Sequence, residues 1–476
     1  RQLLTDFYRQ DPRAIETHVT EVSAGRIRGF QKEAAGPLIF RGVPFATCRR
    51  LQAPTPVEPW RGERSCMRFG PACPQPAFGL RMMTGSESVA ALAIENFLPP
   101  LPPEQSYWYG DMVEEECLNA NVYTPSLDGP PRPVLVWIHG GGFAYGSNIE
   151  GGLFDASRLA QDNNVVVVAI NYRVGPFGFL HFPDEGITNL GIRDQIAGLE
   201  WVKENVSKFG GDPGNVTILG ESAGGASVGT LIGSPRCTDL FQRAIPMSGH
   251  TLNAHPARLW KHFFSCVETV LKPHLVDGGM LTPESMKKVP AHSLVEFMGK
   301  TMFRPITKPL GTDATLWQPY RDGDVVPLSG AHSNVKNGST VPILTGCTEN
   351  EWKMFEAFMP KPKSRDQVID RMVDGLRSYF HRTNKDDNPG DVDKWRKHAN
   401  SVYDCIASCR SERGLPITHK DIAGAAGNLF FFEDANFCLA RDADPRAFAF
   451  NLHFWDDGHG RNLPLLFRFA GAGGLE

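Results

Sequence analysis

The chain has 476 residues, of which 41% are hydrophobic, enough to bury a large core. Its formal net charge of −4 and pI near 6.4 favour neither nucleic acid nor an anionic membrane as a partner. No apolar run is long enough to span a bilayer, and no linker, repeat or charge block marks a boundary. We therefore expect a single domain over residues 1–476.

The first third of the chain predicts a hairpin and then a strand that runs into glycines. Residues 19–30 are typical of the hairpin, and residues 134–138 (VLVWI) are typical of a buried strand. His139 and three glycines follow that strand directly. Because glycines carry no side chain, the backbone N–H groups of Gly141 and Gly142 can approach a developing oxyanion closely. Standing alone, the segment would better fit an ordinary glycine-rich loop; together with the serine turn further along the chain, it predicts an oxyanion hole.

A G-x-S-x-G pattern surrounds Ser222 in the middle of the chain. The residues before it, 216–219, predict a buried strand, and residues 225–232 predict a helix of small and apolar residues. A sharp strand-to-helix turn strains the residue at its apex and lifts the serine hydroxyl clear of the sheet. Such a turn predicts a nucleophilic serine, with the Ala223 N–H as a third oxyanion donor.

The remaining pattern predicts an α/β fold with a large, mostly parallel central sheet flanked by helices. Residues 191–209 predict an amphipathic helix with Ile192, Ile196, Leu199 and Val202 on one face. Residues 254–317 have mixed helical patterns and predict a cap over the site. The central strands are predicted at residues 134–138, 165–170, 216–219, 341–345 and 448–452.

A nucleophilic serine needs a base and an orienting acid. Glu349 and Glu351 both follow the strand at residues 341–345, and spacing alone does not choose between them. His453 and His459 both follow the strand at residues 448–452. His459 is favoured as the base because it lies in a Gly-flanked loop that can aim its imidazole, whereas His453 would continue the strand.

Five motifs resemble the type-B carboxylesterase and cholinesterase-like family of the α/β-hydrolase fold. They are residues 40–46 (FRGVPFA), 115–123 (EECLNANVY), 171–180 (NYRVGPFGFL), 210–225 (GGDPGNVTILGESAGG) and 346–351 (GCTENE). The last selects Glu351 over Glu349, and the H-G…L-P-x-x-F run from His459 to Phe467 supports His459. Trp352, where the family usually has glycine, and Asn462, where an acidic residue is common, depart from the pattern.

The resemblance implies a serine hydrolase of carboxylic esters that needs no cofactor and no metal, acting on a small-molecule ester. Lactones, carbamates, amides and lipid esters are alternatives, as is a non-catalytic adhesion protein like the neuroligins. Trp108 lies near the position of the choline-binding tryptophan of cholinesterases, and Phe143 follows the glycines, so both are candidate substrate contacts. Residues 88–98 predict a short apolar helix that resembles the family's lid or gorge wall.

The cysteines are the basis for the expected cellular location of the protein. Cys73 and Cys117 match the family's first disulfide, and Arg50 matches the arginine that pairs with the acidic residue before the second cysteine, here Glu115. A disulfide implies an oxidising compartment, so we expect a secreted protein. Cys405 and Cys409, four residues apart, are expected to be buried on one face of a helix.

Overall fold

An eleven-stranded mixed sheet forms the centre of the molecule, in the strand order β1-β2-β3-β9-β11-β10-β12-β13-β14-β15, with β6 paired to β2. The computed structural model describes residues 14–76, 105–106, 110–150, 154–249, 254–255, 264–265, 267–269, 271–275, 279–301, 317–336, 341–348, 351–352, 361–383, 392–429 and 448–452. The sheet strands are β1 Glu16–Val22, β2 Gly25–Gln31, β3 Leu38–Pro44, β6 Glu63–Ser65, β9 Asn119–Thr124, β10 Arg132–Ile138, β11 Val166–Ile170, β12 Gly211–Glu221, β13 Arg243–Met247, β14 Leu344–Thr348 and β15 Phe448–Leu452. Two small ribbons stand apart, formed by β4 Ala46–Thr47 with β5 Thr55–Pro56 and by β7 Gln105–Ser106 with β8 Gly110–Asp111.

The half of the sheet that carries the candidate site is parallel. Strands β11, β10, β12, β13, β14 and β15 pair in parallel in that order, whereas β1, β2, β3 and β9 pair antiparallel. All five residues of β11 are buried, as expected for a strand covered on both faces. The carboxyl ends of β10, β12 and β14 therefore meet at one edge, which is where ligands bind in open parallel sheets.

Ten described helices connect and cover the strands. They are α1 Ser157–Asn163, α2 Gly175–Phe179, α3 Leu190–Asn205, α4 Ala223–Ile232, α5 Pro283–Lys288, α6 Ala291–Thr301, α7 Ala331–Lys336, α8 Arg365–Thr383, α9 Val392–Glu412 and α10 His419–Asn428. Short 3₁₀ turns cover Pro183–Glu185, Val206–Phe209, Pro235–Cys237 and Lys272–His274. No helix in these described parts is both long enough and apolar enough to cross a membrane.

The predicted elements that lie within the described residues agree with the structure except at their ends, but several strands, among them β13 of the parallel half, were not predicted. The hairpin is formed by β1 and β2, and all four residues predicted on the inner face of α3 are buried. The strand predicted at residues 341–345 begins three residues late, at Leu344. Pro342 has no N–H to donate to a sheet ladder, although its carbonyl accepts from Ala244. The helix predicted to reach residue 209 ends at Asn205 and continues as a 3₁₀ turn.

The described residues pack into four hydrophobic clusters of different size, of which two matter for the site. The main one lies on the sheet and includes the apolar residues of α3 and α4, together with Phe297 and Met298 of α6. A second one is formed by α8, α9 and α10 alone, around Val368, Met372 and Tyr403. The predicted cap region contributes α5 and α6, whose residues Met286 and Leu294 are fully buried. The fold positions the site at the sheet edge and places the three-helix unit α8–α10 beside it.

Candidate active site

Ser222 lies at the turn between strand β12 and helix α4. Its backbone has φ 58° and ψ −120°, a conformation that L residues rarely adopt. Two backbone hydrogen bonds hold it there: its N–H donates to the Met247 carbonyl at 2.9 Å, and its own carbonyl accepts from Ala226 N–H at 2.8 Å. Ser222 is half-buried between fully buried neighbours. The strained turn thus presents its hydroxyl at a helix N-terminus, where the helix dipole favours negative charge.

The glycines around Ser222 are required by close backbone crossing. A Cβ at Gly224 would lie 2.1 Å from the Ile138 carbonyl oxygen, and one at Gly220 would lie 2.6 Å from Gly224. At Gly225 it would lie 2.4 Å from the Met247 carbonyl oxygen. Such contacts are far inside van der Waals distance, so any side chain would push α4 away from β10 and β13.

The predicted oxyanion loop lies directly beside Ser222. A Cβ at Gly140 would lie 3.3 Å from the Ser222 Cβ. Gly141 and Gly142 have φ values of 101° and 59°, which glycine adopts without strain. Within the described part of the chain, neither glycine donates its N–H to another group, and Ala223, as the first residue of α4, has no intrahelical acceptor. Three candidate N–H donors are thus grouped around one serine.

Buried aromatic and polar contacts hold this loop in place. The His139 ring stacks on Tyr172 at 4.2 Å between centroids, and the Tyr172 hydroxyl donates to the His139 carbonyl at 2.8 Å. Burial lowers the pKa of His139 to about 4, so the ring is neutral at physiological pH. The Gln75 amide bonds both the N–H and the carbonyl of Gly146, at 2.6 and 2.9 Å. A loop fixed in this way keeps its donors aimed without reorganisation.

Glu351 is fully buried just beyond the end of strand β14. Its Oε1 accepts hydrogen bonds from the Ser248 hydroxyl at 2.5 Å and from the Thr348 N–H at 2.6 Å. Ser248 itself has a positive φ of 50° and donates its N–H to the Gly346 carbonyl at 2.7 Å. The sequence analysis missed Ser248 because it did not predict strand β13, which ends at Met247 directly before this serine. Glu349, the other candidate for the acid, lies outside the described residues.

The tryptophan that follows Glu351 is accommodated by a glycine far along the chain. A Cβ at Gly427 of α10 would lie 2.4 to 2.6 Å from the Trp352 indole ring. The indole therefore lies flat against the helix backbone, in space that only glycine leaves open. Trp352 does not displace Glu351 into solvent, because the carboxyl group remains buried.

Both candidate bases, His453 and His459, lie outside the described residues. The structure does describe β15, which precedes both, and β15 pairs in parallel with β14 from Leu344↔Phe448 to Thr348↔Leu452. The chain therefore leaves β15 at the same edge as Glu351. The roles of His459 and His453 remain predictions.

Two further buried carboxyl groups, absent from the sequence reasoning, lie behind the oxyanion loop. Glu221 Oε2 lies 3.2 Å from the Cβ position of Gly140. Glu150 is 5% exposed and accepts from the Ser147 N–H at 3.3 Å. Burial is the main cause that raises the pKa of Glu150 to about 8, and the charge of Glu221 adds to it. At neutral pH Glu150 is therefore largely protonated.

Cys73 and Cys117 meet at the base of the loop that they were predicted to close. Both are buried free thiols in the structure, and their side chains are in hydrogen-bond contact. The predicted Arg50–Glu115 pair is wrong: Arg50 binds Glu114, with Nε at 2.9 Å from Oε1. Glu115 points to solvent, whereas Glu114 is 6% exposed. The inward-facing carboxylate that pairs with Arg50 is therefore Glu114, one residue before the one predicted.

The remaining candidate residues lie in three places: Phe143 is in the core, Cys405 and Cys409 are on the surface, and Trp108 is outside the described residues. Phe143 is 2% exposed and packs on Phe179 at 4.8 Å, which leaves little of its ring open to a ligand. Trp108 and the predicted helix at residues 88–98 lie outside the described residues. Cys405 and Cys409 are exposed, not buried as predicted, because α9 buries the face that carries Ala399 and Tyr403. Among the described residues, no cluster of histidine, cysteine and carboxylate side chains could hold a metal ion.

A parallel sheet whose edge carries a strained serine, grouped N–H donors and a buried acid defines an α/β-hydrolase fold. The model of the carboxylesterase family matches residues 16–419, and the chain belongs to that family. It is 39% identical over 350 residues to the para-nitrobenzyl esterase of Bacillus subtilis (strain 168), and 41% identical over 365 residues to carboxylesterase 1E of Mus musculus. These alignments cover 71% and 73% of this chain but 64% and 60% of the relatives, so the chain spans less than two thirds of their length. A solved thermophilic para-nitrobenzyl esterase superposes with a TM-score of 0.71 at 26% identity, over 95% of this chain and 84% of that one.

Proposed function

We propose that this chain hydrolyses small-molecule carboxylic esters through an acyl-enzyme formed on Ser222. The observation that carries the proposal is the strained Ser222 backbone beside the N–H groups of Gly141 and Gly142, which donate to no group in the described part of the chain. Strain of this kind persists only where the surrounding structure imposes it, and it clusters at functional sites. The names of the relatives, esterase and carboxylesterase, support the same chemistry.

The proposed reaction has two halves. His459 takes the proton of the Ser222 hydroxyl, whose oxygen attacks the ester carbonyl carbon, while the N–H groups of Gly141, Gly142 and Ala223 bind the oxyanion. His459 then gives that proton to the departing alcohol, which leaves an acyl-serine. Water, deprotonated by His459, attacks the acyl carbon and releases the acid. Glu351 orients the imidazole and stabilises its positive charge, and no cofactor enters the cycle.

The acid's surroundings support its part in this scheme. A carboxylate that accepts hydrogen bonds from Ser248 and Thr348 on one oxygen is held in a fixed orientation. Glu351 is thus suited to pair with a histidinium.

We further propose a Cys73–Cys117 disulfide and, with it, secretion or another oxidising compartment. The contact between the two buried thiols supports the pairing. A disulfide here would tie the two ends of the intervening segment together, next to the Arg50–Glu114 ion pair.

The test uses Ser222→Ala with paired variants for the other roles. Ser222→Ala should abolish hydrolysis of nitrophenyl esters without loss of folding, and a fluorophosphonate should label Ser222 alone. His459→Ala and Glu351→Gln should each lower kcat by about 1,000-fold or more, because triad members act as a unit. The matched controls His453→Ala and Glu349→Gln should cost far less.

The same assays discriminate the alternatives. Label on a different serine, or full activity in Ser222→Ala, would refute the nucleophile. Activity on lactones, carbamates, amides or lipid esters above that on simple esters would keep the mechanism and change the substrate class. A folded protein that neither hydrolyses any of these nor takes the label would favour the neuroligin-like adhesion alternative.

A further inference from the structure

Three cysteine thiols, rather than two, meet at the base of the predicted disulfide loop. Cys48, just after β4, joins Cys73 and Cys117, and all three are at most 3% exposed. The Cys48 thiol donates to the Glu114 carbonyl at 3.0 Å, and the Cys117 thiol donates to the same oxygen at 3.1 Å. Two sulfurs that share one acceptor are close neighbours.

Cys117 is the middle sulfur of the three. Its sulfur donates to the same carbonyl oxygen as the Cys48 sulfur, and the side chains of Cys48 and Cys73 are the groups that act most strongly on its pKa. The bond from Cys48 acts to lower the pKa of Cys117, but the bond to Cys73 and burial outweigh it and raise that pKa. The raised pKa keeps Cys117 protonated when it is reduced.

Two other buried cysteines of the described structure provide a comparison. Cys66 and Cys237 are also buried free thiols, and burial raises the pKa of each to about 12. Neither contacts another described thiol. Burial alone therefore does not bring thiols into contact.

We propose that Cys48 is an alternative disulfide partner of Cys117, so that one disulfide exchanges between the Cys73–Cys117 and Cys48–Cys117 pairings. The Cys48 thiolate attacks the Cys117 sulfur, the Cys48–Cys117 bond forms, and the Cys73–Cys117 bond breaks. Cys73 leaves as a thiolate and takes up the proton that Cys48 lost, so exchange involves no net oxidation. The first disulfide requires an oxidant such as glutathione disulfide, which two thiols reduce to two glutathione thiols.

Exchange would change which segment is tied down. The Cys73–Cys117 pairing closes residues 74–116, whereas Cys48–Cys117 releases residue 73 and closes residues 49–116 instead. The Arg50 side chain, which pairs with Glu114 beside these sulfurs, also donates to the carbonyls of Met286 and Val289 in the cap region. The three thiols therefore lie at the contact between the loop base and the cap.

The experiment maps disulfides in the full chain after oxidative refolding in glutathione buffer, acid quench and alkylation. The wild type should give both Cys73–Cys117 and Cys48–Cys117 linked peptides. In Cys73→Ser, the yield of the Cys48–Cys117 linked peptide should equal the summed yield of both linked peptides in the wild type. Cys48→Ser should give Cys73–Cys117 alone, and Cys66→Ser, the matched buried control, should resemble the wild type.

Each outcome decides a separate question. If Cys48 is alkylated as a free thiol in every chain while the wild type links Cys73 to Cys117, the exchange is refuted and the first pairing stands. If Cys117 is never linked to either cysteine, the exchange and the Cys73–Cys117 disulfide are both refuted. Ester hydrolysis plays no part in this readout, so the result is independent of the proposed activity. Should Cys73→Ser fail to fold by circular dichroism, Cys73→Ala and the wild-type map still decide.

Discussion

A Glu150→Gln variant is expected to become more stable than the wild type as pH rises. Burial is the largest cause that raises the pKa of Glu150 to about 8, from an ordinary value of 4.5; the Ser147 N–H partly opposes this and the charge of Glu221 adds to it. Between these two pH values the unfolded chain loses a proton that the folded chain keeps. Folded-state stability contributed by this group is therefore complete below about pH 4.5 and is lost as pH rises toward 8.

The magnitude follows from the difference between the two pKa values. At about 1.36 kcal/mol per pH unit, a gap from 4.5 to about 8 corresponds to an upper limit of about 5 kcal/mol. Glutamine keeps the shape of the protonated carboxyl group and does not titrate. The variant should thus gain up to several kcal/mol over the wild type between about pH 5 and pH 8.

Urea unfolding at a series of pH values, on both proteins, measures this difference directly. His139 and His181, whose pKa values burial lowers to about 4, impose the opposite dependence below about pH 6.5, but they are common to both proteins and cancel. Glu185→Gln, at an exposed carboxylate, is the matched control and should run parallel to the wild type. A stability difference between Glu150→Gln and wild type that is constant with pH would refute the buried, protonated carboxyl group.

Three substitutions test the packing and hydrogen bonding of the site. Ser248→Ala removes a hydrogen bond to the Glu351 carboxylate that is worth about 1.5–3 kcal/mol. The variant should lower kcat for nitrophenyl esters about tenfold or more, with little change in KM. An unchanged kcat would contradict the role of Ser248. Gly224→Ala should cost about 3 kcal/mol or more in urea unfolding, because its Cβ would lie 2.1 Å from a β10 carbonyl oxygen. Gly427→Ala should cost about 1–3 kcal/mol by pushing on the Trp352 ring, despite the better helix propensity of alanine.

Gly299→Ala is the matched control for both glycine substitutions. Gly299 lies in helix α6, and its nearest neighbour to a new Cβ is 3.9 Å away. Alanine there should be neutral or stabilising by up to about 1 kcal/mol. If Gly224→Ala or Gly427→Ala behaved like this control, the close contacts described above would be wrong.

Local sequence patterns predicted five of the six parallel strands, all but β13, and the nucleophile turn, because their signals are contained in a few adjacent residues. The buried runs at β10, β11 and β12 are continuous and apolar, and the glycines around Ser222 mark a turn without reference to the rest of the chain. Strand β14 begins only at Leu344 because Pro342 has no N–H to donate to a neighbouring strand. The proline is visible in the sequence, so this late start was predictable. Element ends depend on such single hydrogen bonds.

Contacts between distant segments were beyond this reasoning. Nothing adjacent to Trp352 shows that Gly427 leaves room for its ring, 75 positions later in the chain. The partner of Arg50 was misassigned to Glu115 because the two neighbouring glutamates differ only in which one turns inward. The burial of Glu150 was missed for the same reason, since a carboxyl group in a sequence carries no sign of the protein that will surround it.

The separate core of helices α8–α10 has a consequence for how the protein loses activity. These helices bury their own apolar residues, and local opening of such a unit costs less free energy than unfolding of the whole chain. Trp352, the residue after Glu351, rests on Gly427 of that unit. Unfolding of the three helices would remove the surface beneath the indole and release the acid loop while the sheet remained intact. The proposed ester hydrolysis would then disappear at a lower urea concentration than the secondary-structure signal, and inactivation would report the stability of the helices alone.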